Sequence, residues 1–416
     1  MGSSAVRVRF GMAMASATLA AACSVLAPGP QTGQPPAGAP TLSAAPDEVP
    51  VFEFDPTWPK TPLPNNWIFG NIGGVHVDDK DQIWVLQRGN SVPLDLGDDF
   101  LARGAGECCT PAPSVVVLNQ AGEIVKAWGG PDPANPKSKK TADGYDWPRE
   151  HGIFVDAKGF VWMGCDDGVN DKVSAPENCG SVTKFTTDGT VVWQKGRMGR
   201  SKGNMDQENF NSPSGMFVDE AANEVFIADG YRNKRIAVID AETGAFKRMW
   251  GPYGMPNPPD IPRNKLNGSH SDKHDPAGLK LFGDSVHCIE LSRDGFVYVC
   301  DRGNNRIQVF RKDGTFVKEG YVAPNTGNMG SVFDIAFSQD PAQRFLYVAD
   351  GANHHVHILL RETLEVVGQF GHGGRYAGEL GVAHVLASDS NGHIYVGETV
   401  VRDRIMRWKF TGMKKK

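Results

Sequence analysis

Along most of the chain, apolar and polar positions alternate in short runs, and the runs come in pairs joined by turns of Asp, Asn and Gly. Period-two alternation with polar turns predicts strand–turn–strand units. One such pattern recurs six times. It starts at Gly73 (GGVHVDDKDQIWVLQRG), His151 (HGIFVDAKGFVWMGCDD), Ser214 (SGMFVDEAANEVFIADGYRNKRIAVID), His287 (HCIELSRDGFVYVCDRGNNRIQVF), Phe333 (FDIAFSQDPAQRFLYVADGANHHVHIL) and His384 (HVLASDSNGHIYVGETVVRDRIMRWKF). The copies begin 46 to 78 residues apart. A repeat of this size with several strands in each copy is a propeller blade, and no long amphipathic helix interrupts the series. Two packed sheets are the competing all-β arrangement, but they would not produce six matching copies. The expected fold is an all-β, six-bladed β-propeller over residues 51–416.

The fourth copy, from Asp294 to Phe310, reads D-G-x-V-Y-V-x-D-x-G-N-x-R-I-x-V-F and resembles the NHL repeat. Arg235, Arg306 and Arg404 fall at its arginine position. They are expected to pair with acidic residues of the same or the neighbouring blade.

Composition narrows the class. The 416 residues are 40% hydrophobic and 22% charged, with a net charge of −5, which excludes a disordered chain. Apart from Lys414 to Lys416, no basic block could follow a phosphate backbone, so nucleic acid is not expected as a partner. Arg7 and Arg9 precede an apolar, small-residue run from Phe10 to Ala22, the pattern of a secretory signal over residues 1–22. Cys23 follows directly and resembles the acylated cysteine of a bacterial lipoprotein, although the leucine sits one place further upstream than usual; ordinary cleavage after Ala22 is the alternative. Residues 23–50 are rich in Pro, Gly and Ala and suit a flexible tether. An exported, periplasmic or cell-surface protein follows, touching a membrane only through such an anchor. In an oxidising compartment the remaining six cysteines should pair, with Cys165 and Cys179, and Cys288 and Cys300, as candidate bridges. No C-x-x-C spacing favours a zinc–thiolate site.

Blade geometry locates the chemistry. The first strand of each blade lines the central channel, and its start shares a rim with the end of the second strand. The six starting residues are, in order, Gly73, His151, Ser214, His287, Phe333 and His384, so histidine occupies alternate blades. Equal spacing about the axis puts three imidazoles in a near-threefold ring, a ready zinc site with an open fourth position. Any one histidine alone would more often be a packed core residue; three of eleven at equivalent alternate positions are hard to attribute to chance. The same rim should receive Arg88, Arg302 and Tyr231 from the ends of second strands. An arginine fork matches a carboxylate, and a tyrosine near a metal and an arginine can serve as a base. The bland reading is that the tyrosine packs in a loop and the arginines pair with nearby acids.

On these residues the chain is similar to the peptidyl-α-hydroxyglycine α-amidating lyases, zinc propellers that complete C-terminal peptide amidation. The resemblance runs from about Gly70 to Phe410. It implies zinc on His151 (in His-Gly-Ile), His287 and His384. It also implies a base at Tyr231, within Asp229–Ile236, and arginines at Arg88 (Gln-Arg-Gly) and Arg302 (Cys-Asp-Arg-Gly-Asn-Asn-Arg-Ile-Gln). The implied reaction cleaves an α-hydroxyglycine amide into an amide and glyoxylate, on a small-molecule or peptide substrate, by a monomeric chain.

The family's structural calcium would take backbone carbonyls matching Val75 and Ile153. Val385, however, stands in place of its aspartate, and a valine offers a hard cation no oxygen, so calcium stays open. Arg232 replaces the family's cysteine after the tyrosine, and long insertions around 95–114, 166–180 and 257–283 could reshape the substrate mouth. Two rivals remain: another exported propeller lyase or hydrolase, of the streptogramin-lyase or lactonase type, and a non-catalytic NHL binding module. His355 and His357 also share a strand face at a spacing metals can use, but the outer part of the fifth copy reads as a solvated face.

Overall fold

In the computed structural model, residues 47–89, 109–130, 150–165, 180–260 and 280–416, excepting 198, 328 and 401, are described, together with Gly2. Cys23 and Cys179 lie outside the described residues, as do the signal and nearly all of the expected tether. Six four-stranded antiparallel sheets follow one another. Their channel-lining first strands are Asn71–Val77, Glu150–Val155, Pro213–Asp219, Val286–Leu291, Asp334–Phe337 and Val382–Ser388. These inner strands pack each against the next, and the sixth against the first, which closes the ring. The six-bladed propeller expected from the repeats is the observed fold.

Each interface between blades holds its own apolar cluster. Ile289, Val297 and Val299 of blade 4 meet Phe226, Ile236 and Val238 of blade 3, and Val385, Ala387 and Tyr395 of blade 6 meet Ile72, Val75 and Val85 of blade 1. The repeat's aromatic position supplies a large side chain to most of these layers, and turn aspartates anchor several of them. Asp78 accepts from Trp84 Nε1 at 2.9 Å, Asp156 from Trp162 Nε1 at 2.8 Å, and Asp389 from the Tyr395 hydroxyl at 2.9 Å. The repeat arginines also behave as expected. Arg235 pairs with Asp229 at 2.8 Å, Arg306 with Asp301 at 2.7 Å, and Arg404 with Glu398.

The last blade is completed by the first strand of the propeller. Glu48–Phe54 pairs antiparallel with Ile405–Lys415, Glu48 opposite Lys415 and Phe54 opposite Trp408. Ordered strand thus begins three residues ahead of the expected boundary at residue 51. Cys288 and Cys300 form the expected bridge across the first hairpin of blade 4. Cys109 and Cys165 each take part in a disulfide as well, with partners outside the described residues.

Candidate metal centre

The inner strands carry an irregularity at one place. The pairing register shifts between Ile72 and Gly74, His151 and Ile153, Pro213 and Gly215, Val286 and Ile289, and Ala383 and Val385. A β-bulge at a rim re-aims a side chain, and here it sits at the starting residue of five blades. In blade 2 the bulge needs glycine: Gly152 has φ +68°, and a Cβ there would lie 2.7 Å from Ser214 O.

His151, His287 and His384 are brought together at the axis, each at most 3% exposed. Their ring centroids form a near-equilateral triangle with sides of 4.9, 5.0 and 4.9 Å. Each Nδ1 lies against a backbone carbonyl of the following blade: His151 with Ser214 O at 2.6 Å, His287 with Phe333 O at 2.6 Å, and His384 with Ile72 O at 2.7 Å. A carbonyl can only accept, so each Nδ1 carries the proton and each Nε2 presents its lone pair to the axis. The odd-numbered blades thereby orient the ligands of the even-numbered ones.

One ligand atom from each histidine lies within 4.8 Å of the others, and His287 Nε2 and His384 Nε2 are 3.2 Å apart. Two lone pairs facing each other across that distance call for a cation between them. Burial pushes His151 and His287 well below the ordinary imidazole pKa, and the charges of Arg88 and Arg302 push the same way, so both rings are neutral. Three tautomer-fixed imidazoles fit a zinc-class ion with an open fourth position.

The other expected residues surround this ring. The Tyr231 hydroxyl is 3.0 Å from His151 Nε2, in the turn after the second strand of blade 3. Arg88 is buried and donates from Nε to Glu150 O at 2.8 Å, which fastens it to the residue before His151. Gly73 leaves no room for a side chain, since a Cβ there would lie 2.8 Å from Glu150 O, the carbonyl that holds Arg88. Arg302 stacks over Phe333 at 4.7 Å and over Tyr231 at 5.6 Å, donates to Ser285 Oγ at 3.0 Å, and keeps a buried Nε with no hydrogen-bond partner. Among the described residues Arg302 pairs with no acid.

Further along the channel a cavity is lined by Val75, Ile153 and Val385, together with two carboxylates that the sequence did not single out, Glu290 and Asp334. Burial drives Glu290 well above the usual carboxyl range, with Asp334 adding to the shift, and raises Asp334 to about 7. Asp334 accepts from the backbone N–H groups of Leu386 at 2.8 Å and Ile335 at 2.9 Å. Two carboxylates from blades 4 and 5 thus line the cavity beside Val385. No repeat position marks either residue.

Comparisons with known proteins agree in part. The NHL repeat family model matches residues 284–310, the stretch that carries the motif most clearly. NHL repeat-containing protein 3 of Mus musculus is 24% identical over 310 residues, 73% of this chain and 66% of that protein. Peptidyl-glycine alpha-amidating monooxygenases A and B of Xenopus laevis are 25% and 26% identical over 273 and 275 residues, 64% of this chain in each case. This chain spans about two thirds of the mouse protein, and only 24% and 26% of the frog proteins. Among solved structures, a streptogramin B lyase aligns with a TM-score of 0.48 at 14% identity, over 82% of this chain and 94% of that one. A virginiamycin B lyase from Staphylococcus aureus aligns with a TM-score of 0.42 at 14% identity, over 82% of this chain and 85% of that one.

Proposed function

We propose that this propeller is a zinc-dependent carbon–nitrogen lyase that cleaves an α-hydroxyglycine amide into an amide and glyoxylate. One observation carries the reading: three imidazole Nε2 atoms converge on the axis with a tyrosine hydroxyl 3.0 Å from one of them and two arginine charges beside them. The amidating monooxygenase relatives support the same direction.

Zinc held by His151, His287 and His384 would supply Lewis-acid polarisation of substrate oxygens. Arg302, whose buried Nε has no partner, takes the substrate carboxylate, and Arg88 adds positive charge from the opposite blade. Tyr231 in its phenolate form takes the proton from the α-hydroxyl. The C–O bond then becomes a carbonyl, the C–N bond breaks with its electrons passing to nitrogen, and the proton returns from Tyr231 to that nitrogen. Amide and glyoxylate leave and the tyrosine is restored, with no water consumed. On this reading residues 1–22 export the chain, Cys23 is its lipid anchor, and the substrate is met outside the cytoplasm.

The test is glyoxylate release from an N-acyl-α-hydroxyglycine by the zinc-loaded protein. Tyr231→Phe should leave zinc content unchanged and lower turnover by about 10²- to 10⁴-fold. Retained turnover in that variant would remove Tyr231 from the chemistry. No release by the unaltered protein would favour the second reading, an NHL binding module, which the greater reach of the mouse relative along this chain supports.

A further inference from the structure

Three blades share a buried device. In blade 3, Asp229 Oδ2 accepts from Asn233 Nδ2 at 2.7 Å and from Arg235 Nε at 2.8 Å. In blade 4, Asp301 Oδ2 accepts from Asn304 Nδ2 at 2.8 Å and from Arg306 Nε at 2.7 Å. In blade 5, Asp350 Oδ2 accepts from Asn353 Nδ2 at 2.8 Å, but the residue in register opposite it is His355, where blades 3 and 4 have Arg235 and Arg306. Two residues on, His357 replaces the Gln308 of blade 4.

The fifth blade therefore buries the same carboxylate, fully shielded from solvent, without the permanent cation that its sisters provide. In its place stand two imidazoles. His357 Nε2 lies 2.9 Å from Asp350 Oδ2 and 3.1 Å from His355 Nε2. His357 is only 6% exposed, so the face expected to be solvated is closed over it. A buried carboxylate needs a compensating positive charge.

The spacing says which kind. Donor atoms around a tetrahedral ion at 2.0–2.1 Å sit about 3.3 Å from one another. His357 Nε2 meets Asp350 Oδ2 and His355 Nε2 at that scale, as His287 and His384 meet at the axis at 3.2 Å, and all three blade 5 donors lie within 4.8 Å of one another. The backbone N–H of Asn353 holds the other carboxylate oxygen at 2.9 Å, which orients Oδ2 toward the rings. His355 is only partly buried, so an ion has a route in.

We propose that Asp350, His355 and His357 form a second metal site, a two-histidine, one-carboxylate set for a zinc-class divalent ion with its remaining position open to water. The ion takes the place of the guanidinium found in blades 3 and 4. The site shares no ligand with the axial ring.

The experiment uses full-length protein and zinc alone, loaded, desalted and measured by elemental analysis, with cobalt(II) absorption as a second readout. Two equivalents per chain are expected. The double variant His355→Arg with His357→Gln installs the blade 4 pair, so it should fold and keep its glyoxylate release while zinc falls to one equivalent. In His287→Ala protein the blade 5 ion should remain, together with its cobalt spectrum. Two equivalents in the double variant, or a single equivalent in the unaltered protein that the double variant does not reduce, would overturn the assignment.

Discussion

At the axis, every imidazole donates a hydrogen bond from Nδ1 to a backbone carbonyl of the neighbouring blade; in blade 5, His357 Nδ1 is buried and finds no partner among the described residues. The two histidine clusters have similar donor spacing, but the axial rings are all buried while His355 is only partly so, and only at the axis does every ring have a carbonyl behind it. Outer partners of metal-bound histidines fix the tautomer and raise ligand basicity, and losing one costs about 10- to 100-fold in affinity. On the proposed function the axial ring would hold its ion against a working substrate, and on the proposed second site the blade 5 cluster would neutralise a buried charge with an ion that can leave.

The comparison is broken most decisively by His287→Ala. Zinc at the axis and all glyoxylate release should disappear together while the propeller stays folded; elemental analysis beside the activity assay checks this. Full axial zinc after that substitution would mean that the ring does not hold the ion. A smaller effect comes from competition. Titrating the two-zinc protein with a chelator should empty blade 5 at about 10- to 100-fold lower chelator concentration than the axis, with activity unaffected over the first step. Simultaneous loss would show that the missing Nδ1 acceptor does not matter.

The smallest effect lies deeper in the channel. Burial raises Asp334 to about 7 in the fold, against 3.8 for a free aspartate side chain, so between those values the folded chain keeps a proton that the unfolded chain has lost. Stability of the metal-stripped protein should therefore fall as pH rises from about 4 to 7, by at most about 1.4 kcal/mol per unit, and this contribution should level off above 7. Asp334→Asn should flatten the slope in urea unfolding at stepped pH, although it leaves one backbone donor with a weaker partner. An unchanged slope would assign the pH dependence to other groups.

Much of this was legible before any coordinates. The alternation of Gly73, His151, Ser214, His287, Phe333 and His384 is visible because a strand repeat preserves its phase, and phase is what decides which residues face the axis. The arginine pairs were legible for the same reason. What stayed hidden depends on contacts between copies. The carbonyls of Ile72, Ser214 and Phe333 carry no side-chain signature, although they fix every ligand at the ring. Glu290 and Asp334 face each other only because blades 4 and 5 are neighbours. In blade 5 the strand's place in the sheet suggested a solvated face, whereas the residue opposite, Asp350, decides its burial. A signal was available: the fifth copy lacks the arginine that the third, fourth and sixth contain.

The clasp formed by Glu48–Phe54 and Ile405–Lys415 has a consequence for biogenesis. The first-made strand of the propeller pairs with the last, so its partner leaves the ribosome more than 350 residues later. At about 5–20 residues per second that is a wait of roughly 20 to 70 s. Until then Phe52 and Phe54, which pack in and against the core between blades 5 and 6, have nothing to cover them, and the strand is an open edge. Blades 1 to 5 can form in order as they emerge. The ring can shut only after synthesis has reached its final strand, and a holdase that shields the first strand during that interval would raise the yield of closed propeller.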